Sequence, residues 1–226
     1  MKNDPKLHVA IIPDGNRRWA KARALQPWKG HEQAVENFRG LLEWVETDGR
    51  IGTLTLWCFS TENWKRDPGE VEQLMKIFLT QLEGQRATFR EKSIRVVHSG
   101  RTDRLSDGLK TLLEDVTKET AGNSSYTLHL ALDYGGKDEI IRAIQRIPDV
   151  KDVTEDSIRE HLDHPELPDI DLVIRTSGEQ RTSNFALWQS AYAEWMFIDK
   201  LFPDFTGNDL SSALDEFEER QRRYGA

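Results

Sequence analysis

The sequence predicts an α/β protein of one domain, residues 1–226, with a mostly parallel sheet of about six strands surrounded by helices. Short apolar runs alternate with longer segments in which apolar residues recur at helical spacing. Turns rich in Gly, Asp, Asn and Ser separate the two kinds of segment. No repeat, low-complexity tract or linker interrupts the alternation, and 226 residues suffice to bury a sizeable core.

Taken in order, Leu7 to Ile12 is an apolar strand, and Asn16 to Leu25 reads as a helix that stops near Pro27. From Gly30, residues Val35, Phe38, Leu41, Leu42 and Val45 keep the helical period. Thr53 to Phe59 is a second strand, followed by the polar loop Ser60 to Arg66. Asp67-Pro68-Gly69-Glu70 is a helix start: Asp as cap, Pro at the first position, Glu three residues beyond the cap. That helix presents Val71, Leu74, Met75, Phe78, Leu79 and Leu82 on one face. Ile94 to His98 is a third strand, and Leu105, Leu109, Leu112, Leu113 and Val116 mark a helix. Tyr126 to Leu132 is a fourth strand, ending at Asp133-Tyr134-Gly135-Gly136 before a helix around Ile140, Ile141 and Ile144. A short helix is expected from Thr154, a fifth strand at Leu172 to Ile174, a sixth at Trp195 to Ile198, and a charged closing helix from Asp209 to Tyr224.

The net charge of −8 argues against a general nucleic-acid binder, which needs a basic face to neutralise phosphates. No apolar stretch approaches the ~20 residues of a membrane helix. Residues 1–6 carry no secretory apolar core, and Cys58 is the only cysteine, so a cytoplasmic location is expected. Cys58 sits inside a strand, where a small buried hydrophobe is the better reading than a reactive thiol. No Cys/His spacing suggests zinc, and no Walker P-loop occurs.

Two distant segments read as halves of one anion site. In each, an apolar run breaks into a turn followed by residues expected to start a helix: Ile11-Ile12-Pro13-Asp14-Gly15-Asn16-Arg17-Arg18-Trp19, and Val173-Ile174-Arg175-Thr176-Ser177-Gly178-Glu179-Gln180-Arg181-Thr182-Ser183. In an open parallel sheet such turns lie at the carboxyl ends of the strands, where ligands bind. Arginine supplies fork-shaped donors that match phosphate oxygens. Arg17, Arg18, Arg66, Arg175 and Arg181 all fall at strand ends or turns. Positive charge in a first helical turn opposes the helix dipole unless an anion is present. Asp14 either closes a turn or holds Mg²⁺ against phosphate oxygens. Ser183 is a helix cap or part of a second diphosphate clamp, and His31 a helix cap or a phosphate donor. Glu194, in apolar surroundings, needs a cation or an arginine as partner.

These residues resemble the cis-prenyltransferase family of the undecaprenyl diphosphate synthase type, from about His8 to Gly225. The similarity is carried by Asp14-Gly15-Asn16-x-Arg18-Trp19-Ala20, Gly30-His31, Phe59-Ser60-Thr61-Glu62-Asn63-Trp64-x-Arg66, Tyr134-Gly135-Gly136, Arg175 to Phe185 and Trp188-Gln189-x-x-Tyr192-x-Glu194. The D-D-x-x-D motif of the all-helical trans-type synthases is absent. The resemblance implies a hydrophobic tunnel, a homodimer, and Mg²⁺-dependent condensation of isopentenyl diphosphate with an allylic diphosphate to a Z-polyprenyl diphosphate. It makes Asp14 and Asn63 catalytic, and Asp14 and Glu194 metal contacts, Glu194 from the partner subunit. It places Gly15, Asn16, Arg17, Arg18, Trp19 and His31 with the allylic diphosphate. Arg175, Arg181 and Ser183 would hold the isopentenyl diphosphate. Ser60, Glu62, Trp64 and Arg66 complete the substrate site, and Arg223-Tyr224-Gly225 would reach into the neighbouring active site. Peripheral membrane contact for product release goes with this reading. Chain length would depend on the Val71 to Leu82 helix and on Trp57, Cys58, Leu128 and Leu130. The family arginine four positions before the Gly-His histidine is here Pro27, Arg17 replaces a glycine of the bacterial pattern, and Gln180 stands where some members have histidine. The alternatives are a short-chain or irregular prenyl coupling enzyme of the same fold, and a non-catalytic partner subunit of a synthase.

Overall fold

The structure, a computed structural model, describes residues 6–220. Its six strands are β1 (Leu7–Ile12), β2 (Ile51–Ser60), β3 (Ile94–Ser99), β4 (Tyr126–Tyr134), β5 (Leu172–Thr176) and β6 (Glu194–Ile198). They form one sheet in the order β3-β4-β2-β1-β5-β6, and every neighbouring pair is parallel. The helices are α1 (Asn16–Ala22), α2 (Pro27–Asp48), α3 (Pro68–Glu91), α4 (Asp107–Glu119), α5 (Gly136–Arg146), α6 (Glu155–Glu160) and α7 (Gly207–Glu219).

β1 is apolar without alternation because both faces of the sheet are covered. Val9 and Ile11 enter the larger core with α2, α3 and α4, while Ala10 and Ile12 face Val173 and Phe185 in a smaller one. The chain crosses from β1 to β2, β4 and β3 on one side and later adds β5 and β6 on the other. β1 is therefore the point where strand order reverses, and a crevice opens at its carboxyl end.

Local signals explain most boundaries. Asp67 accepts a hydrogen bond from the Glu70 N–H at 3.1 Å, and Ser106 caps α4 in the same manner. α2 starts at Pro27, three residues before the sequence pattern announces it, because Pro is preorganised for a first helical position. α1 ends at Ala22, short of Leu25, where the chain tightens and Ala24 takes a left-handed conformation. Gly30 lies against α1 so closely that a Cβ there would stand 1.9 Å from the Asn16 carbonyl oxygen. One expectation fails: no helix follows β5, and residues 177–193 run through turns to β6. Ser177, Ser183, Asn184 and Ala186 all have positive φ in this stretch, which no helix could accommodate.

A buried polar chain crosses four strands. His8 donates from Nδ1 to the Pro168 carbonyl (2.8 Å), so its Nε2 accepts from the Thr55 hydroxyl (2.7 Å). Thr55 in turn accepts from His129 Nδ1 (2.9 Å), and His129 Nε2 accepts from Ser99 (2.7 Å). The carbonyl at one end fixes the direction of every proton, and both imidazoles are neutral.

Candidate active site

The crevice at the end of β1 is a cleft of about 590 Å³, built from three pieces of chain. The β1–α1 turn supplies Asp14, Gly15, Asn16, Arg17 and Arg18; the segment after β2 supplies Ser60, Glu62, Asn63 and Arg66; the segment from the end of β5 supplies Arg175, Arg181 and Ser183. His31 reaches it from α2. Five arginines thus face two carboxylates, in a chain that is acidic overall.

Asp14 anchors the arrangement. Its Oδ1 accepts the Gly15 N–H at 2.7 Å, and its Oδ2 accepts Arg175 Nη2 at 2.8 Å. The Thr176 hydroxyl bridges to the Asp14 backbone, so β1 and β5 are stitched together at the site. Gly15 has φ +99°, a conformation that lets the chain turn sharply into α1. The Arg175 side chain is only 4% exposed, and its Nη1 also donates to Ser183 Oγ at 2.8 Å. Ser183 is therefore an arginine-positioning group and not a helix cap. Asp14 itself remains a third exposed. Each of its oxygens keeps a second lone pair, which suits a hard cation held by one carboxylate together with phosphate oxygens and water.

Arg17 and Arg18 diverge from α1. Arg18 donates to the Ser177 carbonyl at 2.9 Å and lies 3.5 Å from Glu179, which also pairs with Arg181. Arg17 approaches Glu70 at 3.7 Å, and Arg66 donates to the same carboxylate at 3.2 Å. The first turn of α1 thus finds part of its anion inside the protein. With only seven residues in α1, the arginines and not a helix dipole supply the field. Burial, and then repulsion from Arg66 and Arg17, push the His31 imidazole down to about 4. It is neutral at ordinary pH, its Nε2 buried without a partner, and it sits inside α2 and caps nothing. Burial also lowers Arg66, with Arg17 adding repulsion against the pull of Glu70. For Glu62, burial acts upward, but hydrogen bonds from its own backbone and from Ser60, Asn184 and Thr61 hold the carboxyl below its usual range.

Asn63 closes a capping box with Ser60: its Oδ1 accepts the Ser60 N–H at 3.1 Å, which leaves its amide N–H₂ free at the cleft. Trp64, by contrast, turns inward. It donates to Asp133 at 2.8 Å and packs edge-on against Phe59, outside the cleft lining. Trp19 likewise donates to Asp204 at 2.8 Å and stacks under Arg23. Neither indole lines the cleft. Glu194 opens β6 level with Leu172, at the opposite end of the sheet from Arg175, and accepts Arg220 at 3.0 Å. An arginine is its partner within the described chain. Arg223, Tyr224 and Gly225 lie outside the described residues. Sequence reasoning missed Trp57 and Asn184 as cleft residues; a positive φ at Asn184, which aims its amide at Glu62, has no sequence signal of its own.

A second, apolar pocket of about 130 Å³ lies between the sheet and helices α2, α3 and α4. It shares Pro13, Asn16, His31 and Cys58 with the cleft, so the two are neighbours at the His31 end. Cys58, Leu128 and Leu130 line it as expected, but Trp57 belongs to the cleft and packs on Phe185. Burial pushes the Cys58 thiol up to about 12, the behaviour of an inert wall residue.

Residues 12–225 match the prenyltransferase family model described as undecaprenyl diphosphate synthase. The chain belongs to this family. An isoprenyl transferase of Treponema pallidum is 43% identical, covering 96% of this chain and 98% of its own. The tritrans,polycis-undecaprenyl-diphosphate synthase (geranylgeranyl-diphosphate specific) of Thermococcus kodakarensis is 42% identical over 99% of this chain and 88% of its own. Among solved structures, lavandulyl diphosphate synthase from Lavandula x intermedia, in complex with dimethylallyl diphosphate, superposes with a TM-score of 0.92 at 34% identity, covering 97% of this chain and 98% of that one. The protein is a prenyltransferase of isoprenoid biosynthesis, with a single six-stranded parallel sheet as expected. No helix among the described residues is long and apolar enough to cross a membrane.

Proposed function

We propose that this prenyltransferase condenses isopentenyl diphosphate with an allylic diphosphate, in a Mg²⁺-dependent reaction, to give a Z-polyprenyl diphosphate. The observation that carries the proposal is the junction at His31, where a cleft with five arginines borders an apolar pocket. A prenyl diphosphate has those two halves and in that order.

On this reading the allylic diphosphate lies against Asp14, the Gly15 to Arg18 turn and His31, with its hydrocarbon tail in the apolar pocket. Isopentenyl diphosphate lies against Arg175, Arg181 and Ser183. Bound Mg²⁺, with Asp14 as its protein ligand, would screen the allylic diphosphate and stabilise it as a leaving group. As the allylic C–O bond breaks, the diphosphate takes the electron pair, and the arginines stabilise the charge that develops on it. The isopentenyl alkene attacks allylic C1 through its C4, a carbon–carbon bond forms, and C2 of the isopentenyl unit gives a proton to the released diphosphate as the new double bond closes. Asp14, already bonded to Arg175, ties the two diphosphate subsites into one rigid frame.

Glu194 stands three register positions before Phe197, the strand partner of Arg175, and on this reading its role as a metal contact falls to a homodimer in which a partner supplies it. A homodimer in the cytoplasm, touching a membrane surface at product release, completes the proposal. Radiolabelled isopentenyl diphosphate, several allylic primers, product sizing and a chelator control test it. Light scattering at micromolar concentration tests the dimer. Absence of labelled product with every primer would sink the catalytic reading in favour of a non-catalytic subunit. A branched product of one condensation would favour an irregular coupling enzyme.

A further inference from the structure

The apolar pocket carries a feature that an apolar wall does not require. Its residues on α2 and α3 descend both helices from the cleft: His31, Val35, Phe38 and Leu42 on one, Leu74, Phe78, Leu82 and Phe89 on the other. Leu74 to Phe89 spans fifteen residues, or about 22 Å of helix. The open volume along that length is only about 130 Å³. A dry cavity of ~150 Å³ accommodates one benzene, six carbons. The closed pocket thus has room for about one five-carbon unit, and any longer chain must part the elements around it.

What resists parting is polar. Arg39 on α2 donates from Nη2 to Gln81 Oε1 on α3 at 2.8 Å, across the seam between the two helices. Both side chains line the pocket, with Gln85 one turn further along α3. Arg39 Nε is buried with no partner, and the Gln85 amide makes no hydrogen bond among the described residues. At its far end the seam is closed by Lys92 and Glu46 at 2.8 Å. Eight residues beyond His31, the Arg39–Gln81 bond stands about 12 Å from the junction with the cleft.

We infer that the Arg39–Gln81 hydrogen bond is a clasp on the α2–α3 seam that sets the length of prenyl chain the pocket admits, a role that rests on the proposed condensation. A tail that fills the pocket leaves the clasp closed. A tail that grows past Arg39 enters only as the clasp opens and the seam widens, so the free energy of that bond is set against each further elongation. Gln81 and Arg39 are then specificity-determining residues and take no part in the chemistry, which occurs at the other end of the pocket.

The test compares wild type with Gln81→Leu and Arg39→Met, which remove the bond while keeping bulk, and with Gln81→Glu, which strengthens it by charge. Product length is read by sizing radiolabelled products from one primer. Binding is read by calorimetry with the thiolo-diphosphate analogues of geranyl, farnesyl and geranylgeranyl diphosphate. The first two variants should lengthen the product and raise affinity for the longest analogue relative to the shortest by about fivefold, the factor one ordinary hydrogen bond represents. Gln81→Glu should shift both readouts the other way. The rate of the first condensation should stay unchanged in all three. Wild-type product lengths and wild-type affinity ratios in all three variants would overturn the clasp. A wild type that forms no product would instead overturn the proposed activity, while the affinity ratios would still decide the clasp.

Discussion

Asp14 and Arg175 meet at 2.8 Å across 161 residues of sequence, and through them the turn after β1 is locked to the end of β5. Arg175 is almost wholly buried, so Asp14 both neutralises it and fixes where its remaining donors point. Asp14→Ala should lower turnover roughly 10²-fold or more at saturating substrates, the scale for losing one electrostatic contact in a transition state. It should also cost about 1–3 kcal/mol of stability, because a charged group loses its partner in a partly wet cleft. Turnover and thermal melts on the same preparation measure both. Near-normal turnover would remove Asp14 from the chemistry.

On the proposed reading, the two arginines that pair with Glu179 serve different substrates. Arg181→Ala should raise KM for isopentenyl diphosphate by about 10- to 100-fold with a smaller change in kcat, the pattern of a lost charged hydrogen bond in ground-state binding. Arg18→Ala should do the same for the allylic substrate. If Arg181→Ala weakened only the allylic substrate, the assignment of subsites would be reversed.

Gly30→Ala probes the seat of α1 on α2. The added methyl would meet the Asn16 carbonyl oxygen, which belongs to backbone and cannot rotate aside. The variant should lose about 3 kcal/mol, the upper end of the cost of overpacking, and misplace His31 and the β1–α1 turn together. Chemical denaturation gives the first quantity and turnover the second. A melt unchanged from wild type would mean that the two helices separate easily.

Stability should fall with acid in a defined window. Burial lowers His8, and burial together with repulsion from His164, His8 and His98 takes His129 well below its ordinary value, against the pull of Asp163. Asp171 and Asp169 pull His8 upward without reversing the shift. Below pH ~6.5 the unfolded chain binds these protons and the folded chain does not, so stability is full above that pH and declines as pH falls through it. Each histidine contributes a slope of up to about 1.4 kcal/mol per pH unit. His129→Gln should flatten the curve of unfolding free energy between pH 6.5 and 4.5. An unaltered slope would mean that other groups govern it.

Much of the fold was legible because its signals are local. The apolar runs of β1, β2 and β4, the Asp67-Pro68 start of α3 and the closing helix all depend on near neighbours in sequence. The residues after β5 read as a helix start because they repeat the strand-and-turn pattern of the segment after β1, yet the Ser183 hydroxyl, one reading of which is a helix cap, is taken by Arg175, a partner that only tertiary structure supplies. Trp64 and Trp19 were drawn toward the substrates by the motifs that contain them. Their indole N–H groups instead find carboxylates at Asp133 and Asp204, distant in sequence and invisible to any local pattern. The five arginines of the cleft were legible for the opposite reason: each stands within a few residues of a strand's carboxyl end, and a parallel sheet brings those ends together without further instruction.

The position of β1 has a consequence for how the protein is made. During synthesis from the amino end, Asp14 leaves the ribosome 161 residues ahead of Arg175 in β5. Until then Asp14 faces a sheet with one edge missing, and the most buried arginine of the cleft does not yet exist. A nascent chain that has not yet made β5 therefore carries half of the proposed anion site, and the other half arrives with β5. The site is a late checkpoint on assembly: a molecule that grips both of its proposed substrates has, by that fact, completed its sheet.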